Sequence, residues 1–116
     1  MFAVIFEAEP YPSQQQRYLS LATELKPLLS HIDGFISIER FQSLTQPEKL
    51  LSLSWWRDEE AILAWRRQEA HRTAQQAGHA DIFSHYRLRV AAVIRDYGKN
   101  ERGQAPQAEA ETHDRV

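Results

Sequence analysis

The residue types and spacings that could do chemistry lie in the second half of the chain. Trp65 could stack on a flat aromatic ring, or it could be a core tryptophan on an amphipathic helix with its N–H on one partner. His71 follows six residues later. It could serve as a base near neutral pH or as an axial ligand. It could equally be a surface histidine beside Arg72, since Arg66, Arg67, Gln68 and Glu69 make this stretch polar. Residues six apart do not share a helical turn, so Trp65 and His71 converge on one pocket if the helix breaks between them. Arg87, Arg89 and Arg95 alternate along one strand face. Their forked guanidinium groups could hold a phenolate or carboxylate, or pair with Glu39 on a neighbouring strand or across a dimer. His79 and His85, with Asp81 between them, are too sparse for a metal centre and read as solvated loop residues, so no metal is expected. The catalytic candidates are therefore His71, Trp65 and Arg89. Arg87, Trp65 and His85 are the candidate substrate contacts.

These side chains must be held by a small fold. The chain has 116 residues, enough for one domain, with 42% hydrophobic and 26% charged residues. Its formal charge of −2 gives no basic excess for a phosphate backbone, so no nucleic-acid partner is expected. With no cysteine there are no disulfides, thiolate metal sites or cysteine nucleophiles. The N-terminus lacks a basic start and a long apolar run, and no segment approaches the roughly 20 apolar residues that span a bilayer. Cytoplasmic residence without membrane contact is the expectation.

Met1 to Ala8 reads as a strand, with Phe2, Val4 and Phe6 on one face and Met1, Ala3 and Ile5 on the other. Ser13, with Gln16 three residues on, has the signature of a helix start. Tyr18, Leu21, Ala22, Leu25 and Leu29 form its buried stripe, and Pro27 is expected to end the helix or open a short further turn. Asp33-Gly34 turns the chain into a second strand, Phe35 to Ser43. There Phe35, Ser37, Glu39 and Phe41 oppose Ile36, Ile38 and Arg40. A polar loop leads to a third strand, Lys49 to Trp56, where Leu51, Leu53 and Trp55 oppose Leu50, Ser52, Ser54 and Trp56. Asp58 can cap a second helix, with Glu59 and Glu60 favourable to its dipole and Ala61, Ile62 and Trp65 facing inward. A break is expected near Arg67-Gln68. His85 to Tyr97 alternates again, with Tyr86, Leu88, Val90, Ala92 and Ile94 opposite the arginines. From residue 99 no apolar pattern survives. The domain is placed at 1–98, with 99–116 as a disordered tail.

The order β-α-β-β-α-β is the ferredoxin-like plan, an α+β fold with a four-stranded antiparallel sheet and helices on one face. The other face should be polar in a monomer, yet the first, third and fourth strands are apolar on both faces. Each large apolar side chain left in water forgoes roughly 1.5–3 kcal/mol. A second copy packed sheet to sheet would cover them, so a homodimer is expected.

The residues that carry a family resemblance are Asp33-Gly34-Phe35, the run from Leu51 through Trp55-Trp56-Arg57-Asp58-Glu59-Glu60 to Ala61, and Ala64-Trp65 followed by Ala70-His71. Over roughly residues 1–98 the chain resembles the antibiotic biosynthesis monooxygenase domain, a dimeric α/β barrel. The resemblance implies oxidation of a small aromatic, quinol- or anthrone-like molecule by O₂ without a cofactor. A Trp on the second helix, matched by Trp65, and an Arg on the last strand, matched by Arg87 or Arg89, would line the pocket. In that reading Trp65 orients the ring, His71 takes a proton and Arg89 stabilises the anion. Haem-degrading relatives imply a second possibility, with Trp65 and His71 in place but Phe6 and Glu7 where that branch has Asn. A non-enzymatic dimeric ligand-binding module is the third.

Overall fold

The computed structural model describes residues 1–75 and 82–106, the side chains of 70–75 excepted. Strand β1 (Phe2–Pro10) leads through a short 3-10 turn (Pro12–Gln14) into helix α1 (Gln15–Leu29). Strands β2 (Phe35–Gln42) and β3 (Leu50–Trp56) form a hairpin, followed by helix α2 (Glu59–Gln75) and strand β4 (Phe83–Ala92). The sheet order is β2-β3-β1-β4, antiparallel throughout. This is the ferredoxin-like arrangement expected from the element order.

Cross-strand register assigns the two faces. Phe6 stands between Ser52 and Leu88, Val4 between Ser54 and Val90, and Phe2 between Trp56 and Ala92. Ile38 and Arg40 lie opposite Ser54 and Ser52. These positions share the face that meets the helices. The other face carries Ile5, Leu51, Leu53 and Trp55, with Glu39, Phe41, Arg87 and Arg89 around them.

Five local readings change. Ser13 lies inside the 3-10 turn and makes no capping bond, because the two prolines tighten the entry before the helix begins. Pro27 sits within α1, which continues to Leu29. The ring is tolerated there because the helix closes within one turn, on backbone bonds from His31 to Leu28 and Ile32 to Leu29 of 3.2 and 3.0 Å. A bulge at the start of β2 pairs Phe35 with Trp56 and Ser37 with Trp55. Phe35 therefore joins the helix-facing set, its ring edge-on to Trp56 at 5.2 Å. Helix α2 runs unbroken to Gln75, and β4 ends at Ala92.

The junction between β3 and α2 is held by polar contacts that the sequence motif supplies. Asp58 accepts the Ala61 backbone N–H at 2.9 Å, the cap expected from the sequence. Arg57 forks onto both Asp33 oxygens at 3.1 Å and bonds Asp58 through Nε at 3.0 Å. These bonds and the guanidinium charge hold the Asp33 carboxyl below its usual range, and the Ala61 N–H followed by Arg57 does the same for Asp58. Gly34 has φ +94°, and a Cβ there would lie 2.8 Å from that of Ala61. Only glycine lets this turn approach the helix.

The packed core gathers at this end of the molecule. Trp56, 2% exposed, is surrounded by Leu29, Ile32, Ala61, Ile62 and Trp65, with Phe2, Val4, Phe35 and Ile38 against them. After β4 the chain turns through residues 93–106, where the Gly98 N–H meets the Glu101 carbonyl at 2.9 Å.

Candidate active site

Between the two helices and the sheet lies a cavity of about 450 Å³. It begins where the packed core ends. Its floor is cut by β3, whose helix-facing positions read Leu50, Ser52, Ser54, Trp56. Two serines in the middle of the sheet leave a hollow that larger side chains would fill. Both are buried. Ser54 Oγ accepts the Trp56 indole N–H at 2.8 Å, so one serine is committed to holding the core tryptophan.

Val4, Phe6 and Leu88 complete the floor, and Tyr18, Leu21, Ala22 and Leu25 of α1 form one side of the roof. Aromatic rings close one end. Phe83 stands edge-on to Phe6 and Tyr18, at 5.6 and 5.4 Å, and Tyr86 leans on both Phe6 and Phe83. The lining is overwhelmingly apolar, as small-molecule sites are.

Helix α2 supplies the other side of the roof through Ile62 and Trp65. Trp65 is 8% exposed and belongs at once to the core and to the cavity wall. Its indole N–H donates to Glu69, one turn on. Burial of the Glu69 carboxyl at the cavity edge raises its pKa, while the Arg66 charge and the Trp65 N–H oppose that rise. By surface area Glu69 is exposed, which limits how far burial can raise it.

One further charged group enters the chamber. Arg40 lines the sheet side opposite Ser52, and its Nε is buried with no hydrogen-bond partner. The alternation of β2 had already put Arg40 on the face of Ile38, which was the signal for it. The strand-four arginines drew attention instead.

The candidates from the sequence are distributed as follows. Trp65 lines the chamber. Arg89 lies across from Ile5 on the opposite face of the sheet, where its Nη1 pairs with Glu7 at 3.3 Å. Arg87 and His85 share that face, in register with Glu7 and Glu9. The arginine partner is thus on β1, not Glu39. Arg95 lies past the end of β4. The structure therefore does not bring Arg87, Arg89 or His85 to Trp65. Position 71 falls on the unbroken helix, roughly 120° around its axis from position 65. The His71 side chain itself, with His79 and Asp81, lies outside the described residues. Among the described residues, no group of three or more metal-ligating side chains exists, and no helix is long and apolar enough to cross a membrane.

Comparison with known proteins bears on this geometry. The family model described as antibiotic biosynthesis monooxygenase matches residues 1–77. The Jasmonate monooxygenase ABM of Pyricularia oryzae is 43% identical over 116 residues, which is 100% of this chain and 54% of that protein. The chain thus spans about half the length of the curated relative it matches. Among solved structures, the haem-degrader MhuD of Mycobacterium tuberculosis, with two haems bound, has a TM-score of 0.64 at 19% identity, over 84% of this chain and 100% of that one. A conserved protein of Methanosarcina mazei has a TM-score of 0.63 at 19% identity, over 77% of this chain and 88% of that one. At such identities the likeness is one of fold.

Proposed function

The chain belongs to the antibiotic biosynthesis monooxygenase family, and from that membership we propose that it oxidises a small, flat, largely apolar molecule with O₂ inside the chamber under α1 and α2. The observation that carries this reading is the chamber itself, about 450 Å³ of mainly aromatic and aliphatic lining with Trp65 in its wall.

In this reading the substrate is a quinol or an anthrone-like ketone with an acidic CH₂. Removal of a proton gives an anion able to pass one electron to O₂. For the anthrone the radicals combine and water leaves, so CH₂ and O₂ become C=O and H₂O; a quinol gives two electrons and two protons to O₂, leaving a quinone and H₂O₂. The substrate supplies every electron, and no outside reductant is consumed. The protein's part is to bind the flat ring along Trp65, exclude bulk water and accept the proton, for which His71 is the candidate base. Dryness matters because a fixed dipole or charge acts far more strongly where water is absent.

The 43% identical relative supports a second reading. Jasmonate is a carboxylate on an apolar body. Placing one oxygen into an unactivated C–H yields C–OH and water only if two electrons and two protons come from elsewhere. The two readings therefore differ in whether an added reductant is needed.

Haem, carried by the solved MhuD structure, would need an axial donor in the chamber. Among the described lining side chains only Tyr18 is of a ligating type, and its ring is packed against Phe83. The described lining does not fit haem.

An oxygen electrode tests the proposal. Anthrone and quinol substrates should draw oxygen one for one without reductant, and Trp65→Phe with His71→Ala should abolish uptake. Uptake by the double variant at the full rate would refute the assignment. Turnover of jasmonate only with added reductant would select the second reading. A Soret band on adding haemin, lost in His71→Ala, would replace both.

We also propose a homodimer closed over the open face of the sheet. Leu51, Leu53, Trp55 and Ile5 stand there, and the Glu7 carboxylate is already bridged by Arg89 and Lys49. That face can be covered without stranding Glu7 as a lone charge.

A further inference from the structure

We propose that Arg40 is the anion anchor of the chamber and that the molecule it receives is an apolar body carrying one carboxylate. This rests on reading the chamber as the substrate site and, of the two substrates weighed there, favours the carboxylate-bearing one.

The argument begins with the arginine's isolation. Arg57 is held by Asp33 and Asp58, and Arg89 and Lys49 by Glu7, while Arg87 lies on the other face of the sheet, away from the chamber. Arg40 enters no ion pair among the described residues, and its Nε–H is buried with nothing to accept it. A buried N–H without an acceptor is costly, and a guanidinium cannot shed its proton to escape. Among the described residues nothing supplies that acceptor, and a bound anion can. Around Arg40 stand Ser52, Ile38 and Phe6, a setting where a charge-assisted bond is stronger than in water.

The fork of a guanidinium fits the two oxygens of a carboxylate. One arginine balances one negative charge. The remaining charges on the lining are Arg66 and Glu69, which attract each other, so a doubly charged phosphate would lack a second partner and meet Glu69. The apolar walls require the rest of the molecule to be greasy.

The test uses a matched pair of probes, 2-naphthoate and methyl 2-naphthoate, titrated calorimetrically. The acid should bind the native chain about tenfold or more tightly than the ester, as one charge-assisted bond would give. Arg40→Met keeps the stem and removes the fork, so it should equalise the two while leaving the ester unchanged. Arg40→Lys, the milder variant should Arg40→Met not fold, should keep only part of the preference. Equal binding of both probes to the native chain, a preference that survives Arg40→Met, or no naphthoate binding at millimolar concentration overturns the proposal. Ser52→Leu separates the two levels of inference. If it removes both probes while native protein shows no acid preference, the chamber stands and the anchor falls. If it leaves both bound, the chamber reading falls as well.

Discussion

Glu69 is the residue where charge and the cavity wall meet. Its carboxyl is pushed up by burial and holds the Trp65 N–H. The sign follows directly. A carboxyl whose folded pKa is raised binds its proton more readily folded than unfolded, so the folded state loses stability as pH rises from the unfolded value, about 4.3, through the folded one. Tryptophan fluorescence should therefore titrate above the usual glutamate value. Glu69→Gln should erase that transition and unfold at slightly higher urea than the native chain at neutral pH. A transition that persists in Glu69→Gln would assign it elsewhere. Trp65 itself carries structural weight. Trp65→Ala removes a side chain only 8% exposed and should cost about 3–5 kcal/mol in denaturant unfolding, which is why Trp65→Phe is the variant for activity.

Among single residues the sequence was partly legible. Trp65, Asp58, Gly34 and Asp33 stand where their types required. Arg87 and Arg89 did not reach the chamber, for a reason the strand itself contained. The opposite set of β4, Tyr86, Leu88 and Val90, is the apolar one, and apolar positions are the ones that turn toward helices. Alternation says which residues share a face. It does not say which face is roofed, and the same ambiguity hid Arg40 beside Ile38.

Elements meet at the Arg57 junction, where the end of β3, the entry to β2 and the start of α2 are tied. Gly34→Ala adds a Cβ 2.8 Å from that of Ala61 and places a side chain at positive φ, so it should destabilise by at least about 1 kcal/mol. Asp58→Ala should lower the melting temperature at neutral pH through loss of the α2 cap. Because the folded pKa of Asp58 is depressed, that contribution is present above the unfolded value near 3.9 and lost as pH falls through the folded one. The native and variant melting temperatures should thus converge in acid. A gap that holds constant down to pH about 2 would show that the cap charge contributes nothing. Element order and the hairpin of β2 with β3 could be read from spacing; the pairing of β1 with β3 and β4 comes from the structure. The bulge that moves Phe35 to the helix side could not, because one extra residue leaves the composition of β2 unchanged.

At the scale of the molecule, the described residues roof the sheet on one side only. The open face is expected to give a light-scattering mass twice the 13.5 kDa of the chain. Trp55→Glu, which buries a charge if a copy covers that face, should halve it without unfolding the protein. A monomeric mass for the native chain at micromolar concentration would leave Leu51, Leu53 and Trp55 facing water and remove the dimer from the account. Truncation after residue 98 should leave the melting temperature within a few degrees of native, as the proposed domain boundary requires.

The chamber is the central claim, and Ser52→Leu tests it most directly. The substitution adds apolar volume to the hollow in the floor, beside Arg40, and costs little in an unfilled space. In an oxygen-electrode comparison on the quinol and anthrone panel, the folded variant should lose at least about nine-tenths of the native uptake, in keeping with a blocked site. Native uptake undiminished in folded Ser52→Leu would mean that the reaction happens somewhere other than beneath α1 and α2.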